Sequence, residues 1–346
     1  MIRRPVPRAA TLELTLACPY RCDTCGSDAG RARPDELSTE DWQRVIQELS
    51  ELGCERITLM GGEPLVHPGW RRIAVEAARG GLEVEMVTSG VGLTDEVAAT
   101  MADVPLDSVT VSVDGVERVH DSQRRMPGAF RRALDAIGTL RKRGIAVGVT
   151  TQLNTLTLPT LEQLAPELEA AGALAWQVQH TLPTGRARCT ELTLSSGETN
   201  RLHRTLLALT RRRGLRPFLT DSVGYLTADD VTLRTPPGMP PRAWAGCWAG
   251  LFAVGITSDG RVKGCLSIPD PCFEGSLRDE SLAAIWNDGN RFAYTRSFRR
   301  ESLHGACAEC AYGRLCRAGC TAMQLAVHHR LGTNTHCFRA HAKDPS

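Results

Sequence analysis

Three cysteines crowd the stretch Thr15–Cys25, at Cys18, Cys22 and Cys25, in the spacing C-x3-C-x2-C. Three thiolates on one tight loop can hold three irons of a 4Fe–4S cluster, because Cys is its usual ligand. The fourth iron is then left without a protein ligand and can bind and reduce something. The apolar run Ala10–Ala17 reads as a strand leading into the loop. Zinc is a competing reading, but structural zinc wants four ligands, usually as two close pairs. No His or Cys between Gly26 and Gly53 completes such a set. A disulfide framework belongs to exported chains. Export is not suggested here, since Glu13 interrupts the apolar run that follows the basic Met1–Arg8.

Composition enters as a set of exclusions. At 346 residues the chain suggests about two domains. A net charge of +2 singles out no partner, and no nucleic acid is expected. The runs Arg211–Arg213 and Arg299–Arg300 read as solvated helix faces. No run of about 18 apolar residues occurs, so no membrane span is expected and the chain reads as cytoplasmic. Thirteen cysteines in such a chain point to metal or redox chemistry, and seven of them lie between Cys265 and Cys337.

The apolar pattern alternates between the periods of strand and helix. Ser38-Thr-Glu-Asp41 opens a helix carrying Trp42, Val45, Ile46, Leu49 and Leu52, closed by Gly53. Strands are predicted over Arg56–Met60, Leu82–Thr88, Ser108–Val113, Ile145–Thr151 and Leu174–Gln179. Helices are predicted over Pro68–Arg79, Thr94–Met101, Ala129–Arg143, Leu161–Ala171 and Arg201–Arg213. About six strand–helix units argue for parallel strands with right-handed crossovers. Six units do not close an eight-stranded barrel. The fold class is therefore α/β, a partial (β/α)6 TIM-like barrel over 1–219, open on one side. Pro236, Pro237, Pro240 and Pro241 mark 220–242 as a linker. Beyond it, Leu251–Thr257 and Arg261–Cys265 flank Ser-Asp-Gly as a hairpin, and 243–346 reads as a small, cysteine-rich α+β domain.

Gly61-Gly62-Glu63-Pro64 directly follows the second predicted strand. Glycines there let backbone approach a ligand closely, and Glu63 can pair with an ammonium; a turn with a solvated Glu is the plain alternative. Together with the cysteine loop after strand one, the motif resembles the radical SAM superfamily. That resemblance implies the same partial barrel, with chemistry at the C-terminal ends of the strands. It also implies that the open iron takes the amino and carboxylate groups of S-adenosylmethionine. Gly61, Gly62, Glu63 and Pro64 would hold the amino group, and one electron would cleave the sulfonium to a 5′-deoxyadenosyl radical. Ser112 and Asp114, in Ser-Val-Asp-Gly115, resemble the ribose-contacting position, with a strand-ending turn as the alternative. Thr88, in Thr88-Ser89-Gly90, closes strand three in a similar place. Arg124, after His120-Asp121, resembles a loop residue near the cofactor carboxylate; a surface Arg is the alternative. One departure is Thr24, where the family commonly has an aromatic residue near the adenine.

A second constellation is more specific. Cys247, twelve residues, Gly260, four residues and Cys265 precede Cys307-x2-Cys310-x5-Cys316-x3-Cys320, and Cys337 follows after sixteen more. This resembles the seven-cysteine SPASM domain, which implies two auxiliary 4Fe–4S clusters and three in all. Cys307, Cys310, Cys316 and Cys337 would hold the distal one, and Cys247, Cys265 and Cys320 the near one. Zinc is the alternative at Cys307 and Cys310. The near cluster often has a fourth Cys between the first two; here either Cys272 supplies it or one iron is open. Of the cysteines left over, Cys54 reads as a small buried hydrophobe. Cys189 follows Pro183-x-Gly-Arg-Ala187 at the end of strand six, where it is a candidate hydrogen-atom donor or an inert thiol. Asp221 and Tyr225, between the domains, are candidates for proton transfer. Leu266 stands where some SPASM sulfatase maturases carry Asp, which counts against that activity.

Most relatives with both motif sets mature ribosomally made peptides. The expected activity is hydrogen abstraction from a precursor peptide, forming a cross-link with the loss of two hydrogens. Peptide epimerisation, a small-molecule dehydrogenase or epimerase, and an iron–sulfur redox sensor are the alternatives. Many peptide-maturing relatives carry an N-terminal recognition domain of about 80–90 residues that pairs a leader strand with a sheet edge. With Cys18 as the first cluster ligand, a separate leader-recognition protein, or direct docking between barrel and SPASM domain, is expected instead. An external flavodoxin- or ferredoxin-type protein is the expected electron donor.

Overall fold

A computed structural model describes residues 5–341, so part of the Met1–Arg8 segment lies outside the described residues. The chain opens with β1 (Ala9–Glu13), α1 (Thr39–Glu51), β2 (Arg56–Met60), α2 (Trp70–Arg79), β3 (Glu83–Thr88) and α3 (Asp95–Ala102). It continues with β4 (Ser108–Ser112), α4 (Glu117–Arg124), α5 (Ala129–Lys142), β5 (Val147–Leu153), α6 (Leu161–Ala170) and β6 (Ala175–His180). Then come α7 (Thr199–Thr210), β7 (Pro217–Leu219), α8 (Asp230–Arg234), β8 (Ala253–Ile256), β9 (Arg261–Lys263) and β10 (Gly275–Ser276), followed by short helices. Among the described residues no helix is long and apolar enough to cross a membrane.

Strands β1 to β7 lie side by side in chain order, all parallel. Parallel neighbours require long crossovers, and the helices supply them. Helices such as α1 and α5 bury an apolar stripe. In α1, Ser38 and Asp41 form a reciprocal capping box, and Trp42, Val45, Ile46 and Leu49 are buried. In α5, Phe130, Ala133, Ile137 and Leu140 do the same. The sheet ends at β7 on one side and β10 on the other, so it stays open, as a partial barrel does.

The sheet does not stop at the barrel. β8 pairs in parallel with β1, with Ala9 opposite Ala253 and Leu12 opposite Ile256. β9 then returns antiparallel to β8, the hairpin the sequence announces. The junction is latched by Glu13, whose carboxylate accepts from Ser258 N at 3.1 Å across 245 positions and is paired by Arg33. The cysteine-rich region is thus built onto the sheet edge beside the strand that feeds the first cysteine loop.

The stretch read as a linker is largely packed structure. Val223, Tyr225, Asp230, Leu233 and Arg234 are buried. Arg234 pairs with Asp230 at 3.0 Å and donates to the carbonyls of Thr220 and Val223 at 3.0 and 2.9 Å. Asp230 in turn accepts from Trp244 N at 2.8 Å. The exposed, proline-bearing part is confined to 237–243. Proline density marked the loop; the buried ion pair behind it has no local signature.

Candidate active site

The cysteine loop springs from β1 and folds back on itself. Cys18 N donates to Gly30 O at 3.2 Å, Cys25 N to Cys22 O at 3.3 Å, and Ala29 N to Cys25 Sγ at 3.3 Å. Cys22 is buried with Tyr20 and Ala129, while Cys18 and Cys25 are half-buried against them. Burial pushes the Cys18 thiol up to about 11, with nearby Glu63 adding to the shift. Burial also raises Cys22, against the pull of Arg124. These thiols keep their protons at neutral pH until a metal displaces them. Among the described residues no three Cys, His, Asp or Glu side chains converge on a point that one metal ion can occupy. The donor set suits a multi-iron cluster, in which each thiolate takes its own iron.

Gly61 and Gly62 press directly on that loop. Gly61 has φ +145°, and a Cβ there would come within 2.3 Å of Thr15 O; at Gly62 it would come within 2.2 Å of Ala17 O. With no side chains in the way, Gly62 N donates to Thr15 O at 2.7 Å and Glu63 N to Ala17 O at 2.9 Å. Glu63 is completely buried, which rules out the solvated turn. Its carboxylate accepts from Thr88 Oγ1 at 2.7 Å, Ser89 Oγ at 2.6 Å and Ser89 N at 2.9 Å. Burial raises its pKa despite those bonds, and among the described residues it has no basic partner. A buried carboxylate held by donors but lacking a counter-cation fits an arriving ammonium. Pro64 starts the short turn that follows.

Asp114 and Arg124 meet one another. Arg124 Nη2 lies 2.6 Å from Asp114 Oδ2, and Gln152 N donates to Asp114 Oδ1 at 2.8 Å. Each Asp114 oxygen holds one partner and keeps acceptor capacity for another. Arg124 Nη1 reaches Cys22 Sγ at 3.7 Å, so this Arg is buried behind the loop and not a surface residue. Asp114 and Cys22 hold its charge in place against burial. His120 Nδ1 accepts from Asp114 N at 2.8 Å, and burial keeps its ring neutral. Ser112 is half-buried at the end of β4, and Thr88 is buried.

Arg186 carries no sequence signal, because its target lies on a different loop. It sits after β6 and donates to Cys22 O at 2.8 Å and Ala29 O at 2.7 Å, and it pairs with Asp28 at 2.6 Å. Gly185 beside it, at φ +52°, comes so close that a Cβ would lie 2.4 Å from Cys25 O. Arg186→Ala is expected to lower stability by about 1–3 kcal/mol and to loosen the cysteine loop. Reconstitution should then yield less of the S-adenosylmethionine-perturbed EPR signal, with Arg186→Lys restoring part of it.

The remaining cysteines sort into two sets. The charges of Cys247 and Cys265 bear on Cys320, which is raised well above its usual value first by burial. Cys316 feels Cys337 and Cys307, and Cys337 feels Cys307 and Cys310, again after burial. Cys272 packs against the apolar cluster that holds Cys247 and Cys320, and burial raises its pKa beside Lys263, Glu274 and Asp270. Tyr225 is buried against Trp244 with ring centroids 5.0 Å apart, and its hydroxyl accepts from Cys320 N at 3.3 Å. Burial drives its pKa well above the usual value, so the phenol keeps its proton at neutral pH, packed behind the cysteines. Asp221 is open to water. Cys54 is buried, its thiol pushed up to about 11 by burial, whereas Cys189 is exposed at the end of the Gly185–Cys189 turn.

Comparison with known proteins agrees with this arrangement. The radical SAM superfamily matches residues 12–169, and the SPASM iron–sulfur cluster-binding domain matches 247–311. Mycofactocin maturase MftC of Mycolicibacterium smegmatis is 30% identical over 331 residues, covering 92% of this chain and 79% of that protein. The chain belongs to the radical SAM superfamily. This radical SAM enzyme, with its SPASM domain, is also 28% identical over 333 residues to the AdoMet-dependent heme synthase of Methanosarcina barkeri, covering 93% of each. Its fold is shared with Streptococcus suis SuiB bound to S-adenosylmethionine, at TM-score 0.73 and 14% identity, over 92% of this chain and 74% of SuiB. Iron–sulfur clusters and S-adenosylmethionine are the cofactors of such an enzyme.

Proposed function

We propose that this enzyme carries three 4Fe–4S clusters and modifies a ribosomally made precursor peptide, joining two of its atoms in a cross-link with the loss of two hydrogens. The observation that carries the reading is Glu63, a buried carboxylate without a cation, set against the loop of Cys18, Cys22 and Cys25. Those three cysteines hold three irons, and Glu63 receives the amino group of S-adenosylmethionine. Gly61 and Gly62 let the backbone close on the loop, and Thr88 and Ser89 fix the Glu63 carboxylate. Ser112 and Asp114, at the end of β4, meet the ribose. Arg124 keeps a positive charge against Cys22. When bound, the cluster and S-adenosylmethionine supply a 5′-deoxyadenosyl radical for hydrogen abstraction.

The peptide reading is supported by SuiB, which shares the fold and has been solved bound to its precursor peptide SuiA, and by the maturase MftC. An opening on one side of the barrel also suits an extended chain. A separate protein captures the leader, an external flavodoxin- or ferredoxin-type donor supplies the electron, and the reaction takes place in the cytoplasm. A second reading has its own support, because the heme synthase matches 93% of both chains; it would make the substrate a small tetrapyrrole.

The test is anaerobic reaction of the reconstituted enzyme with a co-encoded short peptide, read by mass spectrometry. Loss of the mass of two hydrogens is the expected result. Uptake of one deuterium from heavy water with no other change means epimerisation. Turnover of a porphyrin, sugar or amino acid with the peptide untouched overturns the peptide assignment.

A further inference from the structure

We propose that the inner face of β4 to β7 carries the substrate groove of this enzyme, in which the side-chain amides of Gln177 and Gln179 and the hydroxyl of Thr150 hold the backbone of an extended peptide segment. The proposal rests on the reading that the substrate is a peptide and adds where that peptide is gripped.

Successive side chains of a strand point to opposite faces, and the core settles which face is which. Val111 on β4, Val149 on β5, Trp176 and Val178 on β6 and Leu219 on β7 all belong to the core shared with the helices. Their neighbours Ser112, Thr150, Gln177, Gln179 and Phe218 therefore face the inside of the partial barrel. The register sets four of them in one line: Ser112 opposite Thr150, Thr150 opposite Gln177, and Gln177 opposite Phe218. Gln152 and Gln179, opposite one another, form a second line nearer the C-terminal ends of the strands. At one end, Ser112 follows the Thr88–Val111 pair, beside the residues that hold the Glu63 carboxylate. At the other end the sheet stops at β7. Neighbouring strands lie about 4.8 Å apart, so the line covers about 14 Å, the reach of about four extended residues. It runs from the cofactor end of the barrel to its open side.

The polar groups along this line are unspent. Thr150 is 6% exposed, yet its hydroxyl has no hydrogen-bond partner among the described residues. A buried polar group of that kind calls for a partner from outside the chain. Gln177 and Gln179 are half-buried, and among the described residues their side chains make no hydrogen bond either. Other polar side chains nearby are committed: Asn154 donates to Gln123 Oε1 at 2.8 Å, and Thr181 donates to Gln152 Oε1 at 3.2 Å. A carboxamide both donates and accepts, as a peptide bond does, so Gln177 and Gln179 suit a backbone whatever side chains it carries. Two positions apart on β6, they stand about 6.7 Å apart, which is also the two-residue repeat of an extended peptide. Neither line contains a cation, which the carboxylates of a tetrapyrrole would need on burial.

The test uses full-length reconstituted enzyme and the co-encoded short peptide. Gln177→Leu combined with Gln179→Leu keeps much of the bulk and removes both amides. The half-saturating peptide concentration is expected to rise about tenfold or more, with more 5′-deoxyadenosine formed per modified peptide. Affinity for S-adenosylmethionine should hold in an anaerobic titration. Thr150→Val should act in the same direction and more weakly. If the double variant does not load iron as the wild type does, Gln177→Ala and Thr150→Val, each alone, read the same quantities. Peptide saturation and coupling equal to wild type in iron-loaded variants overturn the proposal. So does a loss of S-adenosylmethionine affinity in those variants, which would move the residues to the cofactor site. Wild-type enzyme that leaves the peptide untouched rejects the peptide reading itself, and the groove with it.

Discussion

Replacing Cys18, Cys22 and Cys25 together with alanine is expected to remove about four of about twelve irons per chain and to abolish formation of 5′-deoxyadenosine. The size of the effect follows from the architecture. The three thiols share one loop between β1 and α1. The SPASM cysteines are carried by separate segments, attached to the sheet through β8 and β1, so their irons should remain. Only Cys22 is buried among the three, and its truncation is expected to cost about 1 kcal/mol, leaving the fold intact in a thermal melt. Iron content that stays at the wild-type level would show that the loop binds none. A wild-type value near eight would remove one auxiliary cluster from the account.

Glu63→Gln is expected to have two separate consequences. Loss of the charge weakens S-adenosylmethionine binding by roughly ten- to a hundredfold, since a hydrogen bond to a charged group contributes about 1.5–3 kcal/mol. From the sequence alone Glu63 is a loop residue, of which folding asks little. The structure corrects that: it is fully buried and gathers Thr88 and Ser89 at the end of β3. A Gln amide would turn a donor toward groups that already donate, so stability should fall by about 1–3 kcal/mol. Thr88→Val separates the two effects. It removes one bond to Glu63 but leaves the charge, so stability should drop while cofactor affinity holds within a few-fold. Glu63→Gln with lowered stability and unchanged affinity, measured by anaerobic titration, would leave Glu63 a purely structural residue.

Much of the barrel was legible because each unit buries a stripe of apolar side chains. The strand over Arg56–Met60 matches the sequence reading, and helices such as Ala129–Lys142 differ only at an end. α4 escaped because Val119 is its one aliphatic residue; it buries His120, Gln123 and Arg124 instead. Those polar groups are buried for the site behind the cysteine loop, and periodicity does not see them. β7 is three residues long, and the pairing of β8 with β1 joins distant segments, so neither leaves a local pattern. The cysteine spacings were legible because ligands on one loop sit at fixed offsets. Arg186 was not, since it donates to Cys22 O on a loop delivered by another segment, and proximity of that kind is written only in the fold.

The most direct test of the account is the fate of S-adenosylmethionine in the reconstituted wild-type enzyme under strict exclusion of oxygen, with dithionite or reduced flavodoxin as electron source. The account requires 5′-deoxyadenosine and methionine to form together, and to vanish when Cys18, Cys22 and Cys25 are replaced. A fully iron-loaded enzyme that binds S-adenosylmethionine yet releases no 5′-deoxyadenosine, with or without substrate, would contradict it and leave a cofactor-binding redox sensor in its place.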